Sequence, residues 1–273
     1  MKRIKIVYFT IFRASKVFCY EGAGVDKVLY ISMTGAKHNM LAQASHANNL
    51  ANVSTQGFKA DFAQARSMPI YGGEGLPTRA YALTEKPGTD FSQGPLLQTG
   101  DDLDIAIQGE GFMAVQAADG SEAYTRVGSL FIDSIGVVRT GSGLPVLGNG
   151  GLISLPPSEK IEISQDGSIS VRAKGQGPEG LAVIDRIKFV KDPESTLSKS
   201  VDGLFRVIGD PEGLPEDGSV QVISGFLEGS NVNAVSELTS LLSLSRQFEM
   251  QIKLITTAKE KSEQSSQLLK FGS

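Results

Sequence analysis

The sequence predicts an α+β chain: a mainly antiparallel β central domain flanked by long N- and C-terminal helices that pair in coiled-coil fashion. Two observations carry that expectation. Apolar residues at helical spacing are confined to the two ends of the chain, and the stretch between them breaks into short apolar runs punctuated by Asn-Gly and Asp-Gly pairs. Composition agrees, since 31 glycines in 273 residues exceed the usual ~7% and point to many tight turns.

At the N-terminal end Leu29, Met33, Ala36, Met40, Ala44, Ala47 and Ala51 recur at steps of three and four, a narrow seam of the coiled-coil kind. The opposite face carries Lys37, His38, Asn39, Ser45 and Asn48. The helical period fades near Asn52, and Gly57 after Val53-Ser54-Thr55-Gln56 suits the left-handed conformation that stops a helix. Residues 25–57 are therefore expected to form an N-terminal helical unit. Residues 58–78, with Pro69, Gly72, Gly73, Gly75 and Pro77, read as an extended connector.

Residues 79–226 carry the signals of a β domain. Apolar runs at 103–107, 112–115, 161–163, 169–171 and 220–223 lie between Asp119-Gly120, Asn149-Gly150, Asp166-Gly167 and Asp217-Gly218, pairs suited to tight hairpin turns. No helical period intervenes, which argues against a βαβ sheet. Residues 227–273 return to helix, with Ala234, Leu238, Leu241, Ser245, Phe248, Ile252 and Ile255 in one row and Leu242 and Met250 in a second. Ser230, Asn231 and Asn233 offer capping oxygens at its start. Extending to Leu269, this helix would be roughly 55 Å long, more than one β domain spans. Stripes of this kind must be buried, and periodicity alone leaves open whether they pair within one chain or between subunits.

Several chemistries find no support. A net charge of −4 supplies no basic field for nucleic acid. One Cys (Cys19) and two His (His38, His46) make neither a disulfide framework nor a thiolate zinc site. The histidines lie two helical turns apart, about 12 Å, too far to share a metal, and read as polar-face residues. Gly175-Gln176-Gly177-Pro178-Glu179-Gly180 matches a dinucleotide motif as letters, but Pro178 and the strand-like 181–184 that follow deny it a helix N-terminus. Asp101, Asp102 and Asp104 are followed by Ile105, Ala106 and Ile107, without the oxygens of a calcium loop. No cofactor, metal or catalytic residue is expected. No apolar stretch reaches the ~18 residues of a membrane span. The first 24 residues carry +4 against −8 for the rest; their seven-residue apolar run, 6–12, is interrupted by Arg13 and Lys16 and makes a poor signal peptide.

Three groups of residues carry a family resemblance. Asn49-Leu50-Ala51-Asn52-Val53-Ser54-Thr55-Gln56-Gly57-Phe58-Lys59 resembles the N-terminal signature of bacterial flagellar rod and hook proteins. Leu103 to Phe112, with Tyr124-Thr125-Arg126-Val127-Gly128, resembles the start of that family's β domain. Gly225 to Asn233, then Arg246-Gln247-Phe248-Glu249-Met250, resembles its C-terminal signature. The phrases 26–30, 202–206 and 227–231 are most similar to proximal rod members, with distal rod members next.

The resemblance implies a non-catalytic structural subunit of the basal-body rod in the periplasmic space, with other proximal and distal rod proteins and further copies of itself as partners. It further implies transit through the flagellar type III export apparatus without a cleaved signal peptide, and terminal segments that order on assembly. The expected assembly interface comprises Leu29, Met33, Met40, Asn49, Leu50, Asn52, Thr55, Gly57 and Phe58 at one end. At the other it comprises Leu227, Glu228, Ser230, Asn231, Val232, Leu238, Leu241, Arg246, Phe248, Glu249 and Ile252. Members of this kind begin Met-Asp-Lys, and Val25-Asp26-Lys27 stands at that point. Bacteria initiate at one valine codon, so the expected start is Val25 read as Met, with 1–24 an upstream extension. Two other classes stay open on the residues alone: a stand-alone amphipathic-helix binding module, and a β-domain enzyme acting on peptidoglycan. The latter needs two carboxylates ~5 to 9.5 Å apart across a cleft.

Overall fold

Alanine, leucine and methionine, all strong helix formers, supply ten of the 25 residues from Lys27 to Ala51 and favour α1 (Lys27–Ala51). In the computed structural model, which describes residues 27–62, 65–69, 80–84, 88–173, 181–192, 196–207 and 213–271, α1 ends in a tight turn closed by Gly57 at φ 64°. The second helix, α2 (Ala234–Phe271), runs 38 residues. Asn233 caps it, its Oδ1 accepting from Val235 N at 3.0 Å and Ser236 N at 3.2 Å. The two helices lie antiparallel: His46 of α1 meets Glu237 near the start of α2, and Gly35 faces Gln251 further along.

Between the helices the chain is β. A five-stranded antiparallel sheet runs in the order Phe189–Val190, Phe112–Gln116, Glu122–Thr125, Phe205–Val207, Leu197–Lys199. A three-stranded antiparallel sheet pairs Ser158–Ile163, Ser168–Ala173 and Leu181–Arg186 in that order. Shorter pairs complete the domain, and no sheet of the described residues closes into a barrel. Hairpin turns stand at three expected places: Asn149-Gly150 joins Leu147–Gly148 to Gly151–Leu152, Gly120 and Gly167 both take φ 83°, and Asp119 and Asp166 each accept from the backbone amide two residues on.

Both faces of Phe112–Gln116 are buried. Met113 and Val115 enter the main core with Ile105, Val146, Ile153, Ile187 and Phe189. Phe112 and Ala114 enter a second cluster with Tyr124, Val190, Leu197 and Phe205. There Phe91, Phe112 and Phe205 pack ring against ring at 5.1 to 5.6 Å.

Three expectations change. The region read as an extended connector holds paired strands, Asp61–Phe62 against Gly88–Thr89 and Ala65–Pro69 against Ala80–Thr84; residues 70–79 lie outside the described residues. The β domain does not stop at residue 226, because Phe226–Glu228 pairs with Leu96–Gln98. The Asp217-Gly218 turn makes no hairpin; it delivers Gln221–Ser224 to the distant strand Ile105–Gln108. Each of these pairings is made with a strand outside the stretch itself, from the nearby Ala80–Thr84 to the distant Leu96–Gln98 and Ile105–Gln108, which local periodicity cannot register. The upstream extension 1–24 and the glycine motif 175–180 also lie outside the described residues.

Candidate functional site

The three signature segments converge on one junction where both helices leave the β domain. Gly57 N donates to Glu228 O at 2.8 Å, and a Cβ on Gly57 would stand 2.5 Å from the Arg126 carbonyl carbon. Next to it Lys59 is fully buried, its Nζ donating to Glu228 Oε1 and to Ser92 O at 2.7 Å each. Glu228 Oε1 also accepts from Gly94 N at 2.9 Å, and Oε2 accepts from Arg126 Nη1 at 2.9 Å. Arg126 Nη2 donates to Gly109 O at 2.6 Å, while its Nε is buried without a hydrogen-bond partner. Burial pushes the Lys59 ammonium below its usual pKa; the hydrogen bond to Glu228 opposes the fall and the Arg126 charge adds to it.

A ring of further polar contacts, one ion pair among them, surrounds the cluster. Lys199 Nζ sits 3.8 Å from the Phe58 ring centroid and donates to Lys59 O at 2.8 Å and Asp61 Oδ2 at 3.0 Å. Asn231 Oδ1 accepts from Ala60 N at 2.8 Å, and its Nδ2 donates to Asp90 O at 2.9 Å. Asn49 exchanges both amide bonds with Asp61, at 2.7 and 2.9 Å. Ser230 is buried and its Oγ accepts from Val232 N at 3.2 Å. Asn52 and Thr55 bond locally in the turn after α1. Among the expected interface residues, then, Asn49, Gly57, Leu227, Glu228 and Ser230 are buried within the subunit. Their polar groups are engaged there, leaving little of them for a neighbour. Sequence reading passed over Lys59 and Arg126 as site residues; a charged residue inside each signature was the signal available.

The helix pair presents the surface. On α1 the buried positions are Ser32, Ala36, Asn39, Ala42 and Asn49; of the apolar row expected to form the seam only Ala36 is among them. Small residues face α2 because its inward row, Leu241, Leu244, Phe248 and Ile255, is bulky, and close approach requires a Gly or Ala opposite. Met33 and Met40 consequently point outward, Met40 at 65% exposure, while Leu29 and Leu50 are half-buried. On α2, Leu241 and Phe248 are half-buried, whereas Leu238, Ile252, Arg246 and Glu249 are exposed; Val232, ahead of α2, is half-buried. Val235, Leu242, Met250 and Leu254 join the exposed set, Leu242 at 62%. The histidines are not simple polar-face residues. His46 Nδ1 pairs with Glu237 Oε2 across the helices, and His38 Nδ1 is buried without a hydrogen-bond partner.

A catalytic cleft is not evident in the described residues. The polar hollow lined by Glu122, Lys188 and Glu216 holds its carboxylates in ion pairs, Glu122 with Lys188 at 2.7 Å and Glu216 with Arg186 at 3.2 Å. No described group of three or more His, Cys, Asp or Glu could hold a metal. No helix among the described residues is long and apolar enough to cross a membrane.

A β domain from which α1 and α2 leave together as one antiparallel pair, with apolar side chains exposed along it, defines the architecture of this chain. Residues 223–268 match the family model for the flagellar basal body rod FlgEFG protein C-terminal region. Residues 106–171 match that for the flagellar hook protein FlgE/F/G D1 domain. The chain is 39% identical to the flagellar basal-body rod proteins FlgF of Salmonella typhimurium and Escherichia coli over 253 residues, 91% of this chain and all of each relative. It is 33% identical to the flagellar basal-body rod protein FlgG of Bacillus subtilis over 254 residues, 85% of this chain and 95% of that protein. The chain belongs to the flagellar basal-body rod protein family.

Proposed function

We propose that this protein is a non-catalytic structural subunit of the flagellar rod, of the proximal-rod type, which polymerises through the outer faces of α1 and α2. The observation that carries the reading is the exposed apolar set on the helix pair: Met33, Met40, Leu41, Val235, Leu238, Leu242, Met250 and Leu254. A lone subunit would be penalised for leaving these in water, and burying each contributes about 1.5 to 3 kcal/mol on assembly. The phrasing of residues 26–30, 202–206 and 227–231, with 39% identity to FlgF against 33% to FlgG, supports the proximal type over the distal. Its neighbours are other rod proteins and its own copies; the rod lies in the basal body within the periplasmic space, reached through the flagellar export apparatus without a cleaved leader.

The test replaces Leu242 and Met40 by Glu in the source bacterium. Both side chains are solvent-exposed in the subunit, so folding stability is expected to move by less than about 0.5 kcal/mol. Purified hook and basal-body complexes are expected to lose the doubly substituted chain while retaining wild type. Normal incorporation of a folded variant would refute the helical interface, and absence of the wild-type chain from such complexes would refute the rod reading.

A further inference from the structure

Asp119-Gly120-Ser121, Asp166-Gly167-Ser168 and Asp217-Gly218-Ser219 are built alike. In each the carboxylate accepts from the serine amide two residues on, at 3.0, 3.2 and 2.8 Å, and in the first two it also accepts from the serine hydroxyl. A charged carboxylate tethered in this way repels a nucleophile and is aimed past the glycine between. Asn149-Gly150-Gly151 departs on every count. Its side chain is a neutral carboxamide, no hydroxyl stands two residues on, and Gly151 is paired with Gly148 across the hairpin. Among the described residues neither the Asn149 carboxamide nor the Gly150 amide has a hydrogen-bond partner, and both residues are exposed. Closing a five-membered ring between them needs only local rotation, and glycine has no Cβ to obstruct it.

We propose that Asn149 is a site of spontaneous covalent modification, the chain's point of deamidation and isoaspartate formation, with water as the co-reactant. Gly150 N attacks Asn149 Cγ, the Cγ–Nδ2 bond breaks, and Nδ2 leaves as ammonia with the proton that Gly150 N gives up. A succinimide ring results. Water then opens it: addition at Cγ gives aspartate, and addition at the backbone carbonyl carbon gives isoaspartate, whose main chain runs through Cγ and is one atom longer. Either product sets a new carboxylate on the rim of the hollow lined by Glu122, Lys188 and Glu216. The cations there are already paired, Lys188 with Glu122 and Arg186 with Glu216. The longer main chain of isoaspartate does not fit the two-residue turn that holds Gly148 opposite Gly151, so the hairpin loses its closing pair. This chemistry belongs to the single chain and does not rest on the rod reading.

The test holds the full-length folded chain in warm, mildly alkaline buffer for days and follows the tryptic peptide 140–160, in which Asn149 is the sole asparagine. Mass spectrometry with electron-transfer fragmentation separates isoaspartate from aspartate. Isoaspartate is expected to accumulate at residue 149 while the peptides covering Asp119, Asp166 and Asp217 stay unchanged. Gly150 has open space around its missing Cβ and no left-handed φ, so Gly150→Ala keeps the turn and puts a methyl group beside the attacking nitrogen. It is expected to slow conversion about tenfold, as an added barrier of about 1.4 kcal/mol gives. Asn149→Gln, which would have to close a six-membered ring, is expected to lose the reaction. A folded chain that stays unmodified overturns the proposal; conversion of the same chain in urea would then show that the turn protects the residue. Isoaspartate arising as fast at the Asp-Gly turns, or an unchanged rate in Gly150→Ala, overturns it as well.

Discussion

Replacing Gly57 with alanine tests whether the junction is as tight as its geometry states. A Cβ there would lie 2.5 Å from Arg126 C, 2.6 Å from Arg126 O and 2.7 Å from Val127 N. All three are backbone atoms, so no rotamer change relieves the contact. Restoring a separation of about 3.5 Å means withdrawing the chain by about 1 Å. That would stretch Gly57 N···Glu228 O from 2.8 Å beyond hydrogen-bond length. An alanine at φ 64° costs about 1 to 2 kcal/mol, and an orphaned buried amide about 1 to 3 more, for a total of about 2 to 5 kcal/mol. Gly120 supplies the control: it also has φ above zero, at 83°, but nothing lies within 4 Å of its missing Cβ. Gly120→Ala is expected to lose only the first increment, about 1 to 2 kcal/mol. Urea unfolding by circular dichroism gives both values, and exchange of a peptide covering residues 55–62 gives the local one. Equal losses at the two glycines would refute the close approach at the junction.

Two further predictions concern the helix pair and the β turns. A Cβ on Gly35 would meet only the flexible end of Gln251, its Nε2 at 2.7 Å, so Gly35→Ala is expected to leave the pair intact and gain up to about 1 kcal/mol of helix propensity. Gly35→Leu should push the helices apart and lower the helical melting temperature; a stabilising leucine would show that the helices do not pack closely there. Asp166 has its carboxyl held below the usual range, first by the Ser168 hydroxyl and then by the Ser168 amide. A depressed folded-state pKa stabilises above the unfolded value near ~3.9 and loses that contribution as pH falls through the folded one. Asp166→Asn is thus expected to be less stable at neutral pH, with the gap closing below about pH 4; a gap independent of pH in acid titrations would refute the assignment.

Local chemistry was legible where a conformation depends on neighbours in sequence. Asp119-Gly120 and Asp166-Gly167 announce hairpins because a glycine with φ above zero and an Asp side chain that reaches two residues ahead make the turn without outside help. Asp217-Gly218 carries the same signal but belongs to a different structure, because its outgoing strand pairs with Ile105–Gln108. On α1 the apolar row was visible at Met33 and Met40, yet which face meets α2 depends on the bulk of Leu241, Phe248 and Ile255. An amphipathic pattern identifies residues that avoid water; on α2 Leu241, Phe248 and Ile255 turn toward α1, whereas Met33 and Met40 of α1 look away from the partner helix of the same chain.

Periodicity and turn residues were enough to establish the order helix, β domain, helix, and the signature segments were enough to assign the family. Those properties are local: a stripe repeats every three to four residues, and a turn is made by the residues within it. Only the folded chain decided that Lys59, Arg126 and Glu228 share one buried cluster. A charge is tolerated in the interior only once its counter-charge and hydrogen-bond partners arrive. Here they arrive from both ends of the chain and from the middle of the β domain, a convergence that no single stretch of sequence contains.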